Sequence, residues 1–181
     1  LIQEQTELPY NRIAPIFANH PEALDSPLLD MLNVKYVLVA KGRVIENRGY
    51  TLVYDGEMRI YRNDDALPRA FLVPRAVTIS DGAARQQALR SLSPREVVIL
   101  EEAPQLGEAE EIPATFGGQV ESIYYTANEV VIAVNTPIPC YVVLGDSYFP
   151  GWLAFIRPFE AQDPARAEQS TPIYRANGNF R

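Results

Sequence analysis

The chain is short of the residues that build reactive centres. It has one cysteine, one histidine and one tryptophan among 181 residues. A lone Cys140 excludes an intrachain disulfide, and in its apolar run Cys140–Leu144 it reads as a small hydrophobe. His20 has neither a second histidine nor paired cysteines, which excludes a zinc site and a Ser-His-Asp triad. Lysine is nearly missing: Lys35 and Lys41 are the only two, and the other cations are arginines. No stretch approaches the ~18 consecutive apolar residues of a membrane-crossing helix. The first residues, Leu1-Ile-Gln-Glu4, carry no initiator methionine and no signal-peptide pattern. They point to a piece of a longer protein.

What the chain does contain is acid, proline and tyrosine. Twenty-three acidic residues against 16 basic ones set the net charge at −7. Such a balance excludes nucleic acid as a partner, because phosphate backbones need clustered cations. It equally disfavours electrostatic docking on anionic lipid. A hydrophobic fraction of 47% supports a packed core, while fifteen prolines and ten tyrosines favour short strands joined by turns.

Residues 1–20 place Pro9 and Pro15 between short apolar pairs and read as an extended arm. Ser26 as a cap, Pro27 at the first helical position and Leu28, Leu29, Met31 and Leu32 predict a short helix that Asn33 ends. Val34–Ala40 reads as a buried strand. Tyr50–Tyr54 and Met58–Arg62 flank Asp55-Gly56, a hairpin signal in which glycine supplies positive φ. Arg69–Val73 and Ala76–Ile79 predict a strand that Pro74 interrupts with an edge or a bend. Ser80-Asp-Gly opens a helix over Ala83–Leu92, with Ala84, Ala88, Leu89 and Leu92 on one side. Glu96–Leu100 is a further strand, and the acidic stretch Glu101–Gly118 reads as a linker.

Beyond that linker the apolar period is two. Val120–Tyr125 and Glu129–Val134 are strands, Cys140–Gly145 is a buried one, Trp152–Ile156 another and Ile173-Tyr174 a short last piece. Glu160–Thr171 is polar with alternating charges and reads as an exposed loop. Ala176–Arg181 runs into what should be a strand, so further strands are expected beyond it. The fold expected is α+β and mainly antiparallel β. A small N-terminal α/β portion covers 21–112, with the acidic linker at its end, and a C-terminal β-sandwich portion covers 113–181. The two can form one continuous unit.

Five blocks follow one another from residue 28 onward. They are Leu28-Leu-Asp-Met-Leu-Asn-Val-Lys-Tyr-Val-Leu38, Met58-Arg-Ile-Tyr-Arg-Asn-Asp-Asp-Ala-Leu-Pro-Arg-Ala-Phe71, Asn128-Glu-Val-Val-Ile132, Asp146-Ser-Tyr-Phe-Pro-Gly-Trp152 and Pro172-Ile-Tyr-Arg-Ala-Asn177. In this order they resemble the soluble C-terminal region of the YfhO family of bacterial multi-pass membrane proteins. The resemblance implies a membrane-embedded glycosyltransferase-like protein that decorates cell-envelope polymers or lipids with sugar taken from a lipid-phosphate carrier. It places this chain on the extracytoplasmic face of the bacterial membrane, with the membrane-embedded part of the same polypeptide as partner. The catalytic carboxylate of that class lies in an early loop between membrane spans, which this chain does not contain. No catalytic residue is therefore carried over. Two departures stand out: the family tail continues with further strands, and relatives have a short turn where this chain has Glu160–Thr171.

Trp152, with Tyr148, Phe149 and Tyr174, has the chemistry to stack on sugar rings, since aromatic faces match the apolar C–H faces of a pyranose. Asp146 is placed to accept from sugar hydroxyls, and Asn177 closes the last block of the resemblance. Asp146, Tyr148, Trp152, Tyr174 and Asn177 thus form the candidate ligand-binding set. The competing reading makes Trp152 a core anchor and Pro150-Gly151 a plain turn. An exposed aromatic patch near Trp152 would favour binding. Asp55, Asp64, Asp65 and Asp146 form no Asp-x-Asp-x-Asp loop, so no calcium site is expected, and turn chemistry accounts for the first three. Ser147 lies outside a Gly-x-Ser-x-Gly elbow. Glu101-Glu102 and the Glu108–Glu111 cluster read as a solvated acidic loop rather than a glycosidase pair. No catalytic residue, metal or cofactor is expected, and no set of acid, base and nucleophile supports an independent soluble enzyme. The function expected is a non-catalytic domain that positions a glycan or cell-envelope acceptor; the alternative is a structural or protein-interaction module without a ligand.

Overall fold

Ser26 opens the first element with its hydroxyl, which accepts from the Leu28 N–H at 3.3 Å. Helix α1 (Pro27–Met31) follows, with Pro27 in its first turn. Asn33 ends it at φ +58°, a left-handed value that asparagine tolerates, and its amide donates to the Leu67 carbonyl. The computed structural model describes residues 24–104, 116–160, 167–178 and 180. The expected arm over residues 1–20, His20, the Glu108–Glu111 cluster and the middle of the polar insert lie outside the described residues.

Strands β1 (Tyr36–Ala40), β2 (Tyr50–Asp55) and β3 (Met58–Asn63) form an antiparallel sheet in the order β1-β3-β2. Then come β4 (Ala70–Val73) and β5 (Arg75–Thr78), separated by the buried Pro74. Pro74 does more than bend one strand. β4 pairs antiparallel with β9 (Tyr141–Leu144), whereas β5 pairs in parallel with β6 (Val97–Leu100). Lacking an N–H, the proline cannot continue a ladder, and the chain changes partner there. Between β5 and β6 runs α2 (Gly82–Ser91), capped by Asp81 accepting from the Ala84 N–H at 2.8 Å. Further on, β7 (Gln119–Tyr125) pairs with β8 (Val130–Asn135), and β10 (Ala154–Ile156) with β11 (Gln169–Thr171). The fold is mainly antiparallel β with two short helices, and among the described residues the strands close no barrel.

The core lies where β4, β5, β6 and β9 meet the two helices. Leu28, Leu67, Val73, Val98, Ile99 and Val143 are buried to 1% exposure or less, each contributing about 1.5–3 kcal/mol of apolar burial. Ala176 and Phe180 complete this core from the C-terminal segment. That segment docks on β6: Leu100 bridges Ala176, and Asn177 exchanges two hydrogen bonds with the Ile99 backbone, at 2.8 and 2.9 Å. The β4–β9 pairing and this core join residues from both sides of position 112, so the described parts share one interior.

Several local expectations are corrected. β1 is open on one face, with Tyr36 and Leu38 exposed, because among the described residues nothing covers that side of its sheet. Gly56 does not take a positive φ; β2 and β3 pair Asp55 with Arg59, so the turn is wider than a two-residue one. β11 lies inside the expected loop Glu160–Thr171, since a short edge strand can pair through its backbone without an apolar face. Ile173-Tyr174 forms no strand; Pro172 precedes it, and pairing resumes only at Ala176. Arg85 sits on the inner side of α2, which the apolar spacing alone assigned to Ala84, Ala88, Leu89 and Leu92.

Candidate functional site

Pro150-Gly151 turns the chain after β9, and Gly151 takes φ +102°, where a side chain would be strained. The turn delivers a half-buried Trp152 to the start of the β10–β11 ribbon. Because Ala154 pairs with Thr171, the outgoing and returning strands run side by side. An open groove of about 360 Å³ lies there, lined by Trp152, Leu153, Ala154, Ser170, Thr171, Pro172 and Ile173. The same stretch of chain presents apolar side chains to solvent: Phe149 is 69% exposed, Leu153 76% and Phe159 91%, and Phe155 and Ile156 are exposed as well. An aromatic-rich patch of this kind is unusual on a solvated surface and marks sites of contact.

The other residues of the candidate set lie outside the groove lining. Asp146 is held by an ion pair with Arg69, whose backbone carbonyl accepts from the Gly145 N–H at 2.7 Å. Burial pulls the Arg69 guanidinium down, but the hydrogen bond and charge of Asp146 outweigh it and hold its pKa above the ordinary value. Arg69 also lies 5.6 Å from the Tyr125 ring centroid and so ties the end of β9 to β7. Tyr148 lies under the Arg175 guanidinium at 4.9 Å. Tyr174 packs against the core, and Asn177 is buried to 1% exposure on β6. Of the five, then, Trp152 alone lines the groove.

Ser170 and Thr171, which line the groove from β11, were invisible in the sequence because they sit in a stretch that reads as loop; Thr171 shares a face with Ala154 and Ser170 with Phe155. Arg85 was missed too. Its guanidinium donates to the Ile79 and Ser80 carbonyls at 2.9 and 3.1 Å and reaches Glu101 at 3.5 Å. Arg175 approaches the same carboxylate at 3.9 Å. Glu101 therefore links α2 to the segment that carries the groove's far wall, Pro172 and Ile173.

The turn aspartates are occupied locally. Asp55 pairs with Arg59 at 3.0 Å, and Asp64 accepts from Thr51 at 2.5 Å and Arg62 at 2.6 Å. These hydrogen bonds hold both carboxyls below the usual range. Burial raises the Asp30 carboxyl despite the Asn63 amide bonded to it, and burial together with Asp30, Asp25 and Asp65 pushes the Tyr50 phenol up to about 12. Burial likewise raises the Cys140 thiol. Among the described residues no three His, Cys, Asp or Glu gather to hold a metal, and no helix is long and apolar enough to cross a membrane.

Compared with protein-family models, with curated proteins and with solved structures, the chain matches none of them.

Proposed function

We propose that this chain is a non-catalytic extracytoplasmic domain of a multi-pass bacterial membrane glycosyltransferase-like protein, and that its groove positions a glycan or cell-envelope acceptor. The observation that carries the glycan part is a half-buried Trp152 lining an open groove together with Thr171, whose hydroxyl-bearing side chain shares a face with Ala154. An indole offers its face to sugar C–H groups, and a flanking hydroxyl fixes orientation. The ordered blocks that resemble the YfhO family support the location and the partner, the membrane-embedded part of the same polypeptide. In this reading the β5–α2–β6 unit is the centre of a small α/β portion, and the strands from β7 onward belong to a β-sandwich.

A second reading, a structural or protein-interaction module, draws on the β1-β3-β2 sheet. Tyr36, Leu38, Met58 and Ile60 share one face by register, and Tyr54 opposite Ile60 joins them. All but Ile60 are exposed. Such a face suits contact with another protein surface, and it is compatible with a glycan groove elsewhere on the chain.

The single tryptophan makes the test direct. Iodide is expected to quench Trp152, and envelope glycans are expected to shift its emission saturably and shield it from the quencher. Emission that ignores both iodide and every glycan class would leave the interaction module as the surviving reading. The gene itself tests the location: upstream hydrophobic spans of ~20 residues each are expected, and their absence would end it.

A further inference from the structure

Among the described residues, the lining of the groove at Trp152 carries no formal charge. Its lining consists of one indole, the aliphatic Leu153, Ala154 and Ile173, Pro172 and the residues Ser170 and Thr171. Among the described residues, three arginines on the adjoining segments are paired with carboxylates. Arg69 pairs with Asp146, Arg157 with Glu168 at 3.8 Å, and Arg175 with Glu101 at 3.9 Å while it covers the Tyr148 ring. The whole chain bears a net charge of −7.

An anionic sugar entering such a groove would lose hydration without gaining a charged partner, and would do so in a repulsive field. An uncharged pyranose loses far less. Its C–H face meets the indole, and a ring hydroxyl meets the Thr171 hydroxyl, which shares a face with Ala154. The groove volume of about 360 Å³ lies at the low end of small-molecule sites, enough for about one or two sugar rings. We infer that the groove is selective for uncharged hexose oligosaccharides and rejects uronic-acid or phosphorylated ones. This selectivity rests on the glycan reading above and adds charge discrimination to it.

Galactotriose and trigalacturonate make a matched probe pair, since they differ only in a hydroxymethyl or a carboxylate at C6. Both are titrated against Trp152 emission of the full chain, with maltotriose and chitotriose as further uncharged probes. At least one uncharged sugar is expected to saturate the signal with an affinity that salt leaves unchanged. Trigalacturonate is expected to bind about tenfold more weakly or worse. Ser170→Lys adds a cation at an exposed edge-strand position that tolerates it; trigalacturonate binding should then rise and become salt-sensitive. Trigalacturonate binding as tightly as the uncharged sugars, or no gain in Ser170→Lys, would overturn the charge selectivity and leave the glycan reading standing. Silence toward every sugar, in a chain shown folded by circular dichroism, would overturn both.

Discussion

At Asn177 one side chain joins a turn to the core. Its backbone is left-handed at φ +49°, and Gly178 continues at +84°, so the pair reverses the chain between Ala176 and Phe180. Its amide oxygen accepts from the Ile99 N–H at 2.9 Å inside the core. Asn177→Ala would leave that buried donor unpaired and replace an asparagine, which tolerates left-handed φ, with a residue that does not. The expected loss is about 2–4 kcal/mol of unfolding free energy by urea titration. Asn177→Gly relieves the backbone alone and should lose about 1–3 kcal/mol. An Asn177→Gly chain as stable as the parent would show that the Ile99 bond contributes nothing, and equal stability of the two variants would show that the φ strain costs nothing. The sequence showed an Asn-Gly pair near the end of the chain, but not that β6 would supply the donor, because that contact spans 78 residues. Arg85 teaches the same lesson: a charge at an inner helical position reads as an error until the Ile79 and Ser80 carbonyls and Glu101 are seen around it.

At the scale of elements, local chemistry was the reliable guide. Ser26-Pro27 started α1, Asn33 ended it, and Pro74 marked the place where one strand becomes two. The hairpin at Asp55-Gly56 was legible as a hairpin, although not in its turn geometry. Gly56 has ordinary φ, and an added β-carbon would overlap only the far end of the exposed Tyr54 side chain, which is free to swing away. Gly49 is the position that needs glycine, at φ +83° with the Asp65 carboxylate against it. Gly56→Ala is therefore expected to change stability by less than about 0.5 kcal/mol and Gly49→Ala to cost about 1–2 kcal/mol. Thermal or urea unfolding of the two variants side by side checks the order, and a costlier Gly56→Ala would refute it. The strand β11 had no legible signal: Gln169-Ser-Thr171 has neither β-branched density nor alternation, and only its partner strand makes it one.

Across the whole molecule, the distribution of apolar surface sets this chain apart. Its core is continuous, yet among the described residues one face of the β1-β3-β2 sheet and much of the Phe149–Phe159 stretch lie exposed. Val34–Ala40 reads as a strand buried on both sides, and a continuous apolar run cannot say whether both sides find a cover. Tyr36→Thr and Leu38→Lys together place a polar residue and a charge on that open face, in an edge strand where lysine also blocks strand pairing. Folding stability is expected to move by less than about 0.5 kcal/mol. Binding of a hydrophobic dye and self-association in light scattering should both fall. A large loss of stability would mean that the face is covered in the folded chain.

Composition and local pattern were sufficient for the β-rich class, the starts of both helices and the position of most strands, because these depend on side-chain chemistry within a few residues. Partnership was beyond them. That β4 takes β9 while β5 takes β6 in parallel, that Asn177 and Ala176 close on β6, and that β11 comes to lie beside β10 and Trp152 are all long-range choices. They are made by which apolar faces can be buried together, a property of the assembled core that no short window of sequence contains.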